Sequence, residues 1–390
     1  MLENQPELKA QLFRCSKCGY CKDTVSDELG FYHVCPVYEN LRMEQYSGRG
    51  RTTIALGLSE GLIRFSKPLT DVIYTCLSCG ACKEICPEKI DVCGITRNLR
   101  AEVYARKLQP QKIDQLHLAL KEQHNLFNEV KPKSAWTDNL CLQDKGETLY
   151  FAGCSASYTY PKTARACARI LQESGLSVAY LGEKEWCCGA PAFWSGNTEL
   201  FKQMVEHNLS AIKASESKEV IVGCAVCYNM IKTYYPTIAG VPFKIRHISQ
   251  FLADSLRQGK IRLIQPLKKR LTYHDPCHLG REEKVYEEPR TVIEKIPGVA
   301  FFEMEKNRRG AGCCGEGVVV STVFPNLTRT ISTKRVDEAR RVGAEAIVTC
   351  CPGCVATLNK ATAWLKSREG IEIEVYELPV IIAESMGLKI

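Results

Sequence analysis

The sequence has no apolar run long enough to cross a bilayer. Its most apolar stretch, AEAIVTCCPGCVATL at 344–358, is too short to span a membrane and is interrupted by Pro352 and Gly353. The first ten residues carry charges, so they lack the apolar core of a signal peptide. We therefore expect a soluble chain in a reducing cytoplasm, with no membrane span of its own.

Dense basic clusters are absent as well, although the formal net charge is +8. Lysine and arginine are scattered along the chain, and no basic run with interleaved aromatic residues occurs. The charge count also ignores the negative charge that cysteine thiols acquire when metal binding deprotonates them. We therefore predict no nucleic-acid partner.

Cysteine, in contrast, is abundant, with 22 residues in a chain of 390. Many of them are grouped at CxxC spacings. In a large chain without an export signal, such spacings favour metal ligands over disulfides. The cysteine pattern is therefore the main source of functional information in this sequence.

One cysteine run, CLSCGACKEICP at 76–87, has the C-x2-C-x2-C-x3-C-P spacing of bacterial two-cluster ferredoxins. In that pattern three cysteines hold one 4Fe-4S cluster, and the fourth reaches the other cluster. A second run, CSKCGYC at 15–21, is followed after a longer gap by Cys35 and Pro36. The prediction is one cluster on Cys76, Cys79, Cys82 and Cys35, and another on Cys15, Cys18, Cys21 and Cys86.

Structural zinc is the alternative, because CxxC pairs also suit a tetrahedral zinc ion. Zinc requires neither the third regularly spaced cysteine nor the proline that ends each run. Helical patterns over 48–63 and 94–106 complete the ferredoxin-like region. An amphipathic helix followed by loops fills 107–147.

Beyond residue 147 the chain repeats itself at a period of about 125 residues. Each copy has one cysteine after a β-rich run, then an adjacent pair before glycine, then a CxxC between a strand and a helix. The cysteines of the first copy are Cys154, Cys187, Cys188, Cys224 and Cys227. Those of the second copy are Cys277, Cys313, Cys314, Cys351 and Cys354.

Strands alternating with helices predict two α/β lobes, with the cysteines at the carboxyl ends of strands. Five thiolates exceed the four that a cubane or a zinc ion uses. Either one cysteine is idle in both copies, or the cluster is not a cubane. The remaining cysteines lie outside these motifs and are predicted not to be ligands: Cys93, Cys141, Cys167 and Cys350.

With its two-cluster module followed by two C-x(31-39)-C-C-x(35-36)-C-x2-C motifs, in each of which glycine follows the cysteine pair, the chain resembles the cysteine-rich CCG proteins, chiefly the D-type subunits of heterodisulfide reductase. DPCHLGR at 275–281 also matches this family. The resemblance implies a noncubane 4Fe-4S cluster on each five-cysteine set, hence four 4Fe-4S clusters, two cubane and two noncubane. It also implies that a disulfide substrate is cleaved between the two noncubane clusters.

Proton transfer to the released thiolates needs an acid, and His274, Asp275 and His278 flank Cys277. We predict a catalytic role for these residues; hydrogen bonding that supports the cluster ligands is the alternative. No flavin or nicotinamide motif is visible, because GAGCCG at 310–315 matches GxGxxG only in the second copy. Thioredoxin-like dithiols at the CxxC pairs are a further alternative.

The predicted fold is therefore α+β followed by α/β. A mostly helical two-cluster ferredoxin-like domain covers 1–106, a helical linker 107–147, and two duplicated CCG lobes 148–260 and 261–390. The electron donor must be another protein, and we expect a flavoprotein, a membrane cytochrome or both as partner subunits. Through such a partner the chain could sit peripherally at a membrane. The alternative function is an electron-relay subunit of a flavoprotein dehydrogenase for lactate, glycolate or glycerol 3-phosphate, or of a bifurcating complex such as class II benzoyl-CoA reductase.

Overall fold

A computed structural model describes residues 6–26 and 30–390. Its N-terminal module is mostly helical, with one short antiparallel hairpin in which Val25 pairs with Phe31. A 3-10 turn at Glu44–Tyr46 precedes α3. The elements are α1 (Pro6–Arg14), β1 (Asp23–Ser26), β2 (Gly30–His33), α2 (Pro36–Leu41), α3 (Gly48–Ser59), α4 (Lys67–Tyr74), α5 (Ala81–Ile85) and α6 (Val92–Ala105).

The first lobe is a parallel four-stranded sheet with helices between the strands, in the order β4-β3-β5-β6. Its central strands are apolar and buried, as strands covered on both faces require. Its elements are β3 (Thr148–Phe151), α8 (Cys154–Tyr158), α9 (Pro161–Glu173), β4 (Val178–Ala179), α10 (Ala190–Ser195), α11 (Thr198–Ala214), β5 (Glu219–Val222), α12 (Ala225–Asn229), β6 (Lys244–His247) and α13 (Ile248–Arg257).

The second lobe repeats this arrangement, with strand order β8-β7-β9-β10. Each strand occupies the position of its counterpart in the first lobe, so the duplication in the sequence is also a duplication of topology. Its elements are β7 (Arg270–His274), α14 (Glu287–Glu294), β8 (Ala300–Phe301), α15 (Val320–Val323), α16 (Pro325–Arg341), β9 (Ala346–Thr349), α17 (Pro352–Glu369), β10 (Glu374–Glu377) and α18 (Leu378–Ser385).

The two lobes pack through equivalent helices. Helix α9 of the first lobe contacts α18 of the second, and α14 of the second contacts α13 of the first. Helices α13 and α18, which are counterparts, also contact each other. These reciprocal contacts relate the lobes by an approximate two-fold axis.

The segment between the module and the first lobe contains one helix, α7 (Gln111–Glu122), and then irregular chain. Part of this irregular chain packs on the first lobe. Trp136 is buried against Tyr150 and Tyr180, and Gln143 forms a parallel bridge to Ala179. The predicted linker therefore contributes to the core of the first lobe.

The predicted combination of a helical N-terminal module and two parallel-sheet lobes is confirmed. The module contacts both lobes rather than standing apart from them. The hydroxyl of Tyr74 donates to the carbonyl of Ser195 at 2.8 Å, and α2 packs against α16 of the second lobe. No helix within 6–26 and 30–390 is long and apolar enough to cross a membrane.

Candidate redox centre

Two small cavities in the N-terminal module are lined by the eight cysteines of the ferredoxin-like runs. Cys15, Cys18, Cys21 and Cys86 line one, and Cys35, Cys76 and Cys79 line the other. Cys82 borders both. The structure thus places the last cysteine of each run beside the other run's cysteines.

Gly48 separates these two cavities at the start of α3. A Cβ atom at this position would lie 3.0 Å from the Cβ of Cys21 and 3.1 Å from the Cβ of Cys82. The next amide, of Arg49, donates to the Sγ of Cys21 at 3.1 Å. Only glycine allows the backbone to pass so close to both cysteine sets, and the helix N-terminus there favours negative charge.

Three buried arginines surround these cysteines without a carboxylate partner in the described part of the chain. Arg51, Arg100 and Arg281 are at most 4% exposed, and each has a guanidinium nitrogen without a hydrogen-bond partner there. Arg51 interacts electrostatically with Cys35, and Arg100 with Cys76. Arg281 interacts electrostatically with Cys79, Cys277 and Cys313. Buried cations require a counter-charge, so these residues fit an anionic iron–sulfur cluster with thiolate ligands.

In the two lobes, the cysteines lie where parallel strands end and helices begin. Cys154 starts α8 just after β3, and Cys224 immediately precedes α12 after β5. Cys277 follows β7, and Cys351 precedes α17 after β9. The strands that carry these cysteines are adjacent in each sheet, so their carboxyl ends bring the thiols together.

The glycine of each CCG triplet adopts a left-handed conformation. Gly189 has φ of 81° and Gly315 has φ of 87°. A Cβ atom would lie 2.8 Å from Phe201 in the first case and 2.8 Å from the carbonyl of Thr328 in the second. The glycine therefore allows the sharp turn that points the adjacent cysteine pair towards the CxxC loop.

All five cysteines of the second lobe line one small cavity, in which the Sγ atoms of Cys314 and Cys354 are 3.2 Å apart. In the first lobe the thiol of Cys187 contacts that of Cys154, and the thiol of Cys188 contacts that of Cys227. The structure therefore gathers each predicted five-cysteine set.

Crowding shifts the acidity of these buried thiols in opposite directions. Contact with Cys187 and Cys227 lowers the pKa of Cys188 to about 6, whereas contact with Cys188 and Cys224 and burial raise the pKa of Cys227 well above its usual range. In the second lobe, contact with Cys313 and Cys354 lowers the pKa of Cys314, and contact with Cys314 and Cys351 raises that of Cys354. Within each set, some thiols therefore lose their protons easily and others hold them tightly. Metal binding displaces the protons from the thiols that become ligands.

The cysteine sets also contact each other. The thiol of Cys224 touches that of Cys351, its counterpart in the other lobe, so the two lobe sites meet at the approximate two-fold axis. Contact with the thiol of Cys313 lowers the pKa of Cys79 to about 6 and joins the N-terminal module to the second lobe. Three of the four sites therefore form a continuous series.

A lysine that sequence reasoning missed lies beside the first-lobe site. The Nζ atom of Lys133 is 4.0 Å from the Sγ of Cys154 and 2.9 Å from a carboxylate oxygen of Glu185. Both side chains are almost completely buried, and Glu185 also accepts from the amides of Ala152 and Gly153. Lys133 comes from the segment predicted as a linker, and no cysteine motif surrounds it.

The three residues predicted to transfer protons have different environments. Both oxygens of Asp275 accept from Arg290, at 2.8 and 2.9 Å, and both side chains are buried. His274 accepts from Arg335 at Nδ1, 3.0 Å away, and its ring lies beside the thiols of Cys314 and Cys354. This acceptance leaves the proton of neutral His274 on Nε2.

His278 lines the second-lobe cavity. Asn229 donates to the buried carboxylate of Glu283 at 2.7 Å, so its Oδ1 faces His278 and accepts from Nδ1 at 3.0 Å. Nε2 of His278 is then an acceptor, and burial lowers the pKa of this histidine to about 4. Glu316 lines the same cavity, and burial raises the pKa of its carboxyl to about 7.

Glu316 was also missed, although the sequence carries a signal for it. The second copy reads CCGE, and the first reads CCGA with Ala190 at that position. Three of the four cysteines predicted not to be ligands lie outside the sets: Cys167 lies beside Tyr150, Cys350 beside Tyr273, and Cys141 is exposed. Cys93 is buried next to Cys82 and lines the second module cavity.

Comparison with known proteins identifies both kinds of unit. A family model described as a 4Fe-4S dicluster domain matches residues 11–90, and one described as a cysteine-rich domain, CCG, matches 148–232 and 271–359. The D-type subunit of the dihydromethanophenazine:CoB--CoM heterodisulfide reductase of Methanosarcina barkeri is 32% identical over 391 residues, covering 97% of this chain and 95% of that relative. The chain belongs to the family of D-type heterodisulfide reductase subunits.

Other relatives of this D-type chain are redox proteins too. A subunit of the fumarate reductase (CoM/CoB) of Methanothermobacter marburgensis is 32% identical and covers 72% of the chain and 56% of that relative. EtfAB:quinone oxidoreductase of Syntrophomonas wolfei is 29% identical and covers 78% of the chain and 45% of that relative. The D-type chain is therefore an iron–sulfur oxidoreductase or electron-transfer protein.

A solved structure shares the fold at much lower sequence similarity. A hypothetical protein from Helicobacter pylori superposes with a TM-score of 0.58 at 11% identity, covering 88% of this chain and 68% of that chain. This likeness concerns the fold alone. The assignment to the D-type family rests on the sequence relatives and the two family models.

Proposed function

We propose that this D-type chain passes electrons through two cubane 4Fe-4S clusters to two noncubane 4Fe-4S clusters, where a disulfide is reduced or a thiol pair is oxidised. The observation that carries the proposal is the contact between two complete five-cysteine sets across the lobe interface, at Cys224 and Cys351. A disulfide has two sulfurs to separate, and two facing sites provide one position for each.

We propose the ligands of each cluster from these cysteine sets. The cubane clusters would be held by Cys15, Cys18, Cys21 and Cys86, and by Cys35, Cys76, Cys79 and Cys82. The noncubane clusters would be held by Cys154, Cys187, Cys188, Cys224 and Cys227, and by Cys277, Cys313, Cys314, Cys351 and Cys354. When bound, these clusters supply one electron at a time to a reaction that needs two.

The contacts between thiols of different sites suggest the sequence in which electrons would pass through them. The module cavity that contains Cys79 adjoins Cys313 of the second lobe, and the second lobe adjoins the first through Cys351 and Cys224. Cys15, Cys18 and Cys21 line the other module cavity, and Cys18 is exposed. Electrons would therefore enter at the Cys15 side and reach the second lobe before the first.

The chain's own residues would manage protons at the second lobe. His278 holds an unprotonated Nε2 in the cavity, so it can accept a proton from a thiol during oxidation. During reduction it must first take up a proton, which the carboxyl of Glu316 in the same cavity can supply, before passing it to a thiolate. His274 would donate from Nε2 to a ligand thiolate and so position it. Asp275 would fix the loop before Cys277 through its ion pair with Arg290.

The partners are proposed from the relatives. The names of several relatives denote subunits of redox complexes, so we propose that this chain receives electrons from another protein of such a complex, either a flavoprotein or a membrane cytochrome. A relay role without disulfide chemistry is the second candidate. It is favoured by the relative named EtfAB:quinone oxidoreductase, whose name contains no disulfide reaction.

The disulfide assay separates these two functions. The full chain, purified without oxygen and reduced with a viologen dye, should release two thiols from each molecule of a mixed disulfide of two alkyl thiols. His278→Ala should slow thiol release about a hundredfold or more at unchanged iron content, because proton transfer contributes that much to such steps. His207→Ala, on a helix of the first lobe, is the matched control.

Absence of thiol release by the fully loaded chain, together with rapid oxidation of its clusters by a quinone or flavoprotein, would establish the relay role instead. An unchanged rate in His278→Ala with normal thiol release would remove His278 from the mechanism. It would leave the disulfide reaction itself in place.

A further inference from the structure

Arg281 connects three loops that carry cysteines of two different sites. It lies four residues after Cys277. Its Nε donates to the carbonyl of Cys79 at 2.7 Å, and its Nη1 donates to the carbonyl of Ala311, two residues before Cys313, at 2.6 Å. One side chain therefore ties the second-lobe site to the neighbouring site of the N-terminal module.

The charge of Arg281 has no carboxylate partner. The residue is 4% exposed and forms no ion pair with any acidic side chain in 6–26 or 30–390. Its Nη2 has no hydrogen-bond partner there either. Burial opposes the charge, yet the thiols of Cys79, Cys277 and Cys313 raise the pKa of Arg281 above its usual value.

A buried cation without a counter-charge destabilises a protein strongly, so a compensating anion is required at this position. The groups that can supply it are the three thiols, once they are deprotonated as cluster ligands. Cys79 belongs to the module site, and Cys277 and Cys313 belong to the second-lobe site. The compensation therefore comes from two clusters at once.

We propose that Arg281 is the shared counter-charge of these two clusters and raises the reduction potential of both. The inference rests on the proposed function, because it takes both sites to be loaded. A reduced cluster carries one more negative charge than its oxidised form, so a fixed nearby cation stabilises the reduced form. The effect is strong because the cation is excluded from water.

The first lobe has no arginine at the position that corresponds to Arg281. The residue equivalent to Arg281 is Tyr158, four residues after Cys154. The nearest buried cation there, Lys133, is neutralised by Glu185 at 2.9 Å. Arg281 thus distinguishes the second lobe electrostatically and makes it the more favourable acceptor for electrons that arrive from the module.

Potentiometric titrations followed by EPR, on samples matched for iron and sulfide, test this role. Arg281→Gln should make the reduction potentials of the Cys79 cluster and the second-lobe cluster more negative. For each of these clusters, the equilibrium constant for reduction should fall about tenfold or more. Arg281→Lys should retain most of the wild-type values. Arg309→Gln, an exposed change on the adjoining loop, is the control.

Potentials in Arg281→Gln equal to those of the control, or an equal shift in all four clusters, would overturn the proposal. If Arg281→Gln fails to hold its iron, retention of iron and potentials by Arg281→Lys supports the charge role. Loss of iron in the lysine variant as well shows that the hydrogen bonds of the arginine matter rather than its charge, and overturns it. The iron and sulfide content of the wild-type chain tests the proposed function separately.

Discussion

At the scale of single residues, the adjacent cysteines of each CCG triplet have separate neighbours. Cys187 contacts Cys154, which follows the first strand, and Cys188 contacts Cys227 of the CxxC loop. The left-handed Gly189 makes this division possible by turning the chain directly after the pair. An adjacent pair is therefore a way of joining two separate loops to one five-thiol site.

Replacing Cys188 by serine should disturb one site only. We expect Cys188→Ser to lose the EPR signal of the first-lobe cluster and about four of about sixteen irons, with the ferredoxin signals unchanged. Cys167→Ser, at an equally buried thiol beside Tyr150, should retain all the iron. Equal iron content in the two variants would contradict the assignment of Cys188 as a ligand.

At the scale of elements, helix α7 attaches the irregular segment and the first lobe to the N-terminal module. Its His117 is buried, lies 2.6 Å from the hydroxyl of Ser195, and packs edge-on against Tyr104 of α6. Desolvation lowers the pKa of His117 to about 4. The facing groups of the other elements, Ser195, Asn197 and Tyr104, are uncharged.

Acid should therefore weaken this junction. The unfolded chain binds a proton at His117 below about pH 6.5, whereas the folded chain does so only near pH 4, so stability is lost as the pH falls through that window. The loss is at most ~1.4 kcal/mol for each pH unit. His117→Gln should reduce the difference in unfolding free energy between pH 7 and pH 5, measured by chemical denaturation.

The partly exposed His207 offers the matched control for this measurement. His207→Gln should leave the difference between pH 7 and pH 5 as it is in the wild type. The same difference in His117→Gln as in the wild type would show that His117 does not contribute to acid sensitivity.

Local sequence patterns predicted the elements well, because each strand, cysteine and helix start is a short-range feature. Helices α3 and α6 lie within or close to the ranges predicted from periodicity, and each CxxC begins just after a strand and ends inside the first turn of the following helix. Lys133 and Trp136 could not be predicted, since their roles come from packing on a sheet that begins later in the chain. Glu316 was detectable only as a departure from the repeat.

At the scale of the whole molecule, the two lobes share one topology but differ in charge around their cysteines. The first-lobe site has the neutral pair of Lys133 and Glu185, and the second-lobe site has Arg281 and the pair of His274 and Arg335. Contacts between lobes, such as Cys224 with Cys351, depend on the relative placement of two domains. No local pattern encodes that placement, and only the family resemblance, with its disulfide cleaved between two clusters, implied that the two sets face each other.

The proposed function requires that this one chain hold four iron–sulfur clusters, two of them on five-cysteine sets. Iron and acid-labile sulfide, determined per chain on protein purified without oxygen, provide the decisive test. We expect about sixteen irons with matching sulfide and no stoichiometric zinc. About eight irons, or zinc without sulfide, would contradict the four-cluster assignment.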